Sequence, residues 1–231
     1  MAESLGAFQK VIGVNFKNAA LLETALTHRS YLNEHPLESR EHNERLEFLG
    51  DAVLELVVTG YLFERYPDRS EGDLTSYRAA LVNTSTLSAV ATALGVNDYL
   101  LLSRGEARDT GRARQYILAN TLEALIGAMY LDRGYGAAEA FVAAHILPLT
   151  DEIVEKDLWR DAKSRLQEVA QEKRSETPRY RVLSEEGPDH DKHFTVAVFI
   201  GSEEVARGTG RSKQEAEQEA ARSALGANGW D

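Results

Sequence analysis

Glu44-Arg45-Leu46-Glu47-Phe48-Leu49-Gly50-Asp51-Ala52-Val53-Leu54-Glu55-Leu56-Val57-Val58 has the spacing of a two-faced helix. At about 100° per residue, Leu46, Leu49, Val53, Leu56 and Val57 fall on one side. Glu44, Glu47, Asp51 and Glu55 fall opposite, within about 80° of one another. Like charges at this spacing weaken an isolated helix by about 0.2–0.5 kcal/mol per pair. A solvated acidic face is the ordinary explanation, but two residues ask for more. Phe48 projects beside the acidic stripe, which leaves a large aromatic facing water or a partner. Gly50 costs about 1 kcal/mol relative to alanine inside a helix, and something must offset that.

A second stretch, Tyr116 to Tyr130, repeats the arrangement. Its apolar stripe is Leu118, Leu122, Leu125, Ile126 and Met129. Asn120 and Glu123 lie on the other side at the same three-residue offset as Glu44 and Glu47. Gly127 leaves that face without a side chain, so a backbone or a ligand can approach closely. Two such helices packed together converge oxygen donors on a hard divalent cation. Oxygen-only ligation suits Mg²⁺ or Mn²⁺ and not Zn²⁺, and the chain has no cysteine.

The run His42-Asn43-Glu44-Arg45-Leu46-Glu47-Phe48-Leu49-Gly50-Asp51 resembles the signature motif of bacterial ribonuclease III, and Leu118 to Asp132 resembles that family's second catalytic helix. The resemblance implies hydrolysis of both strands of double-stranded RNA by metal-activated water. It also implies a homodimer in which each subunit cuts one strand, leaving 5′-phosphate and 3′-hydroxyl ends and a two-nucleotide 3′ overhang. On it, Glu47, Asp51, Asn120 and Glu123 are the expected ligands of Mg²⁺, for which Mn²⁺ substitutes. Asp51, Glu123 and Glu47 are then the catalytic residues. Glu44 and Glu71 belong to the surrounding acidic groove, and Phe48 is the contact across the dimer. The family commonly carries Asp where this chain has Asn120; the amide oxygen still ligates but brings no charge. A non-catalytic RNA-binding dimer is the rival reading, and the three acids that remain argue against it. A small-molecule phosphohydrolase would need His–Asp ligand pairs, which none of the six histidines supplies.

The chain has 231 residues and a net charge of −11, and neither half carries an excess of Lys and Arg over Asp and Glu. Any RNA contact must therefore come from local patches. The absence of cysteine excludes disulfides and thiolate metal sites and is compatible with a reducing cytoplasm, the expected location. No signal peptide and no apolar run of about 20 residues is seen, so no membrane span is expected. No small-molecule cofactor is expected either.

The first ~150 residues show helical periodicity without a strand pattern and are expected to be all-α. The acidic helix is predicted over Asn43–Tyr66, stopped by Pro67. A turn at Ser70–Asp73 follows, with Asp73 as N-cap of a single helix from Leu74 to Leu94 ended by Gly95. Ser103–Gln115 carries Arg104, Arg108, Arg112 and Arg114, either a solvated loop or a set of phosphate contacts. A helix over Ala137–Leu147 ends at Pro148, and residues 151–160 form a connection. The pattern then changes to a helix at Ala162–Lys173, a strand at Tyr180–Leu183, an alternating strand at Phe194–Ile200 and a third around Val205. A capping box at Ser212–Glu215 opens an alanine-rich helix that ends at Gly226. This α-β-β-β-α order over residues 161–228, following an endonuclease domain over 1–150, resembles the double-stranded RNA-binding domain of bacterial ribonuclease III. The matching positions are Gln167, Pro188, His190, Arg211, Ser212 and Lys213. Such domains read A-form shape across the minor grooves.

Overall fold

The computed structural model describes residues 2–155, 159, 161–187 and 192–230. The chain divides into two compact units, Met1–Trp159 and Arg160–Asp231. Among the described residues, no helix is long and apolar enough to cross a membrane.

The first unit is all-α. Its helices are α1 (Ala2–Val11), α2 (Ala19–Ala25), α3 (Arg29–Glu34), α4 (Glu44–Arg65), α5 (Glu71–Val82), α6 (Thr84–Ala93), α7 (Arg104–Arg108), α8 (Arg112–Arg133), α9 (Tyr135–His145) and α10 (Leu149–Glu155). The two long helices, α4 and α8, form the central pair and share the most extensive packing in the unit. From α4 the core takes Leu46, Val53, Leu54, Val57, Val58 and Leu62. From α8 it takes Leu118, Leu122, Leu125, Ile126 and Met129, the stripe expected from the sequence.

Several boundaries differ from the sequence reading. Leu56, assigned to the buried stripe of α4, is 60% exposed, because the buried face turns toward Leu54 and Val58. Ser70, not Asp73, caps α5; Asp73 is the third residue of a capping box in which each side chain bonds the other's backbone N–H. The single helix expected over 74–94 is two, broken at Asn83, whose extended backbone and side-chain oxygen start α6. The arginine-bearing stretch is not all loop: it holds α7 and the first turn of α8. The helix expected over 137–147 runs from Tyr135 to His145, and the segment read as a connection begins as α10.

The second unit holds α11 (Ala162–Arg174), β1 (Arg179–Glu186), β2 (His193–Ile200), β3 (Glu203–Gly210) and α12 (Lys213–Asn228). The strands form an antiparallel sheet in the order β1-β2-β3. Phe194, Val196, Val198 and Ile200 alternate inward along β2, as the pattern predicts. β1 is longer than expected because a bulge between Val182 and Ser184 lets it pair on to Glu186. α12 passes Gly226 and stops at Gly229, which takes the left-handed conformation at φ +63°.

Candidate active site

The site is made by a backbone contact. A Cβ on Gly50 would stand 1.7 Å from the Glu123 carbonyl oxygen, and one on Gly127 would stand 2.2 Å from the Leu46 carbonyl oxygen. The two glycines, one on each helix, let α4 and α8 cross at a separation no side chain permits. That contact offsets the helix cost of both. It also sets Glu47 and Asp51, which flank Gly50, against Asn120 and Glu123.

The acids respond to one another. Burial raises the Glu123 carboxyl to about 7, with the charges of Asp51 and Glu47 adding to the effect. Glu47 is raised as well, first by burial and then by Glu44, while a hydrogen bond from the Asn120 side chain opposes the rise. The Asn120 amide thus donates to the Glu47 carboxylate and keeps its oxygen available. The backbone of α8 at this point is held by polar groups that the sequence reading missed. Asn43 is buried, and its side chain reaches the Ala25 carbonyl at 3.3 Å and Thr121 Oγ1 at 3.5 Å, leaving its own helix uncapped. Thr121 in turn donates to the Ile117 carbonyl at 2.7 Å. Asn43 immediately precedes the first acid and is predicted as the first residue of its helix; nothing local in the sequence signals a cross-helix tie.

Glu44 lies at the exposed rim, 3.4 Å from Arg29 and 3.8 Å from His42 Nδ1. Glu71 is not brought into the cluster. It opens α5, accepts from Thr75 Oγ1 at 3.1 Å, and lines a groove with Thr59, Phe63 and Arg78. That groove is roughly 20 Å along α4 from Glu47, at 1.5 Å per residue. Phe48 is 81% exposed and borders a groove of about 650 Å³ with Leu21, Leu49, Leu131 and Glu44.

Three carboxylates and an amide oxygen are a hard-donor set, and a carboxyl held near neutrality by two neighbouring acids is the electrostatic signature of a place suited to a cation. Among the described residues no three acids or histidines already form a closed cage.

In the second unit Gln167, Arg211 and Lys213 are exposed, and Ser212 caps α12 by accepting from Glu215 N at 3.2 Å. The Glu215 carboxylate accepts from the Arg211 N–H at 2.9 Å. Lys213 Nζ lies 4.0 Å from Glu185 and 5.6 Å above the Phe194 ring. Pro188 and His190 lie outside the described residues. A Cβ on Gly208 would stand 2.1 Å from Ala220 N, and one on Gly210 2.6 Å from Ala216 N. The glycines of β3 and the alanines of α12 therefore define each other.

Residues 18–150 match the ribonuclease-III-like family model, and residues 162–226 match the double-stranded RNA binding motif. Ribonuclease 3 of Bdellovibrio bacteriovorus is 47% identical over 220 residues, covering 95% of this chain and 94% of that protein. Ribonuclease 3 of Carboxydothermus hydrogenoformans is 47% identical over 224 residues, covering 96% and 95%. The nuclease domain of ribonuclease III from Campylobacter jejuni, described for flexibility in its dimer-forming region, superposes with a TM-score of 0.55 at 40% identity, covering 60% of this chain and 93% of that one. With its glycine-crossed acidic helices and the α-β-β-β-α unit that follows them, the chain belongs to the ribonuclease III family.

Proposed function

We propose that Glu47, Asp51 and Glu123, with the Asn120 amide oxygen, form the metal-dependent centre at which this endoribonuclease hydrolyses double-stranded RNA. The observation that carries the assignment is the Gly50–Gly127 crossing, which sets Glu47 and Asp51 against Asn120 and Glu123. Mg²⁺ is the cation these oxygens suit, with Mn²⁺ serving in its place. A cation bound there supplies charge against the scissile phosphate and lowers the pKa of the attacking water. The chain's own part is to hold the carboxylates close together at fixed positions. Glu44 extends negative charge along the rim, and the Asn120 N–H opposes the rise that burial and Glu44 impose on Glu47. The products on this reading carry 5′-phosphate and 3′-hydroxyl ends with two-nucleotide 3′ overhangs, as in processing of structured RNA such as ribosomal precursors.

Each chain supplies one such centre, so cutting both strands requires two copies. Phe48, Leu56 and Phe63 are 81%, 60% and 72% exposed and lie within roughly 80° of one another on α4. Antiparallel pairing of two such faces about a two-fold axis covers all three. It also carries Glu71 of the partner subunit, next to Phe63, toward the acidic groove beside Phe48. The homodimer thus accounts for the exposed aromatic and for Glu71 together.

In the second domain, Gln167, Arg211, Ser212 and Lys213 are the RNA contacts, with Pro188 and His190 expected beside them. The start of α12 offers a favourable dipole to a backbone phosphate. A long, perfectly paired RNA incubated with Mg²⁺ is expected to fall to short duplexes, and EDTA or Glu123→Gln to stop the cleavage. Cleavage that persists in Glu123→Gln sinks the assignment.

A further inference from the structure

A run of hydrogen bonds unrelated to the carboxylates joins His28 to the arginine-bearing segment. His28 Nδ1 accepts the Ser30 backbone N–H at 3.3 Å, capping α3, and lies 2.8 Å from Ser30 Oγ. Ser30 Oγ itself accepts the Ser103 N–H at 3.0 Å. Nδ1 accepts the Ser30 backbone N–H, so the hydrogen between it and Ser30 Oγ is the hydroxyl's. Nδ1 therefore receives two donors and carries no proton, which makes the ring the neutral Nε2–H tautomer. Further along, the Arg104 N–H donates to the Glu34 carboxylate at 3.2 Å, and a backbone bridge pairs Thr27 with Leu101. Residues 101–104 are thus fastened to residues 27–34 just before Arg104, Arg108 and Arg112, all exposed. The same short stretch accepts the Asn43 N–H on the Thr27 carbonyl at 2.9 Å, at the start of the acidic helix.

We propose that His28 is a positioning residue. In its neutral form it holds the arginines of α7 and the start of α8 at a set place beside the acidic helix, where they meet the phosphates of bound RNA. This rests on the phosphate-contact reading of Arg104, Arg108 and Arg112. Protonation turns Nδ1 from acceptor to donor, which removes the α3 cap and reverses the hydrogen bond to the Ser30 hydroxyl that backs Ser103. The charged groups facing the ring are Glu106, Arg29, Glu44 and Arg114, and burial outweighs them in holding the imidazole below its ordinary pKa. The neutral form is therefore kept above that value and lost as the pH falls through the lowered one.

The test compares the full-length wild type, His28→Ala and His28→Asn, whose amide oxygen accepts at any pH. Two quantities are read in EDTA, where nothing is cut, at one pH a unit above the ordinary histidine pKa of about 6.5 and at one below the lowered His28 pKa, located by titrating its ring. These are the hydrogen-exchange protection of the Ser103 and Arg104 amides and the affinity for a long RNA duplex. In wild type, acid is expected to lower both; His28→Asn is expected to keep both at either pH. His28→Ala is expected to lose protection at either pH and to bind about five-fold more weakly, the size of one net hydrogen bond. Unchanged protection in His28→Ala overturns the positioning role. Lost protection with unchanged affinity keeps the hydrogen-bond relay and overturns its tie to RNA. Arg104→Gln with Arg108→Gln and Arg112→Gln separately tests the phosphate reading, which fails if affinity and its salt dependence do not move.

Discussion

Both domains are built on glycines that admit a backbone, yet the two contacts serve opposite ends. At the α4–α8 crossing, Gly50 and Gly127 bring carboxylates together, and burial with the neighbouring acids raises Glu123 and Glu47. Where β3 meets α12, Gly208 and Gly210 bring an alanine face against the sheet and leave Arg211 and Lys213 at the helix start. The first contact accumulates like charge and is relieved by a cation. The second is electrostatically quiet and leaves its cations for an anionic partner. Close approach is thus a general device, and the chemistry comes from the residues that flank it.

The sharpest way to break this comparison is to add a methyl group to each contact. In Gly127→Ala the new Cβ meets the Leu46 carbonyl at 2.2 Å, so the helices must separate. The expected cost exceeds about 3 kcal/mol, the upper end for overpacking, and cleavage is expected to disappear. Gly208→Ala meets Ala220 N at 2.1 Å and is expected to unfold the second domain alone. Denaturant unfolding is expected to show one transition lost and the other kept, with cleavage persisting at a KM raised about tenfold or more. If both variants lose the same transition, the two contacts are not independent.

The stored repulsion is measurable as a pH dependence. A carboxyl whose pKa is raised by the fold is favoured as the neutral acid. The Glu123 contribution is therefore complete below its ordinary value of 4.5 and is lost as the pH climbs to about 7. Without divalent cations the nuclease domain is expected to lose on the order of 1–2 kcal/mol across that window, allowing for solvent screening. Glu123→Gln is expected to flatten most of that slope, leaving the part due to Glu47. A wild type whose cation-free stability does not fall between these values removes the electrostatic argument.

The features legible in the sequence are those with a local period. The alternation of β2 is read correctly because one face of the sheet packs on the helices, and the stripe of α8 because it lies within a helix buried on nearly every side. Leu56 is misread because α4 has neighbours around more than half its circumference, and which edge stays open is a tertiary fact. Ser70 and Asp73 both suit a helix start, and only the hydrogen bonds decide that one caps and the other reaches back. Asn83 splits a continuous helical pattern through two side-chain bonds, accepting the Thr86 N–H and donating to the Ala80 carbonyl. At the site, the acids and the unexplained glycines are visible in the sequence, whereas Asn43 and Thr121 act across 78 residues of chain and leave no periodic trace.

Asn120 refines the comparison further. Its amide donates to Glu47 and lessens the repulsion that the crossing creates. Asn120→Asp replaces that donor with a fourth carboxylate. The half-saturating Mg²⁺ concentration is expected to fall about three- to tenfold, and the cation-free domain is expected to melt a few degrees lower. An unmoved half-saturating Mg²⁺ concentration argues that Asn120 lies outside the ligand set, and unchanged cation-free stability argues that its amide relieves no repulsion.

The smallest effect is expected at the quiet contact. Lys213 stands within 4.0 Å of Glu185, whose other oxygen is 2.8 Å from Lys192 Nζ. Part of the Lys213 charge is therefore already spoken for. Lys213→Ala is expected to weaken binding to a long RNA duplex about two- to fivefold and to reduce the slope of log affinity against log salt by about one. Glu185→Gln acts on the same lysine with the opposite sign, since it frees the Lys213 ammonium for phosphate without adding charge. Its affinity for the duplex is expected to rise about twofold, and Lys213→Ala in the same chain is expected to cancel the gain. If Glu185→Gln strengthens binding equally with and without Lys213, its effect is one of net charge, and α12 does not hold its phosphate through this residue.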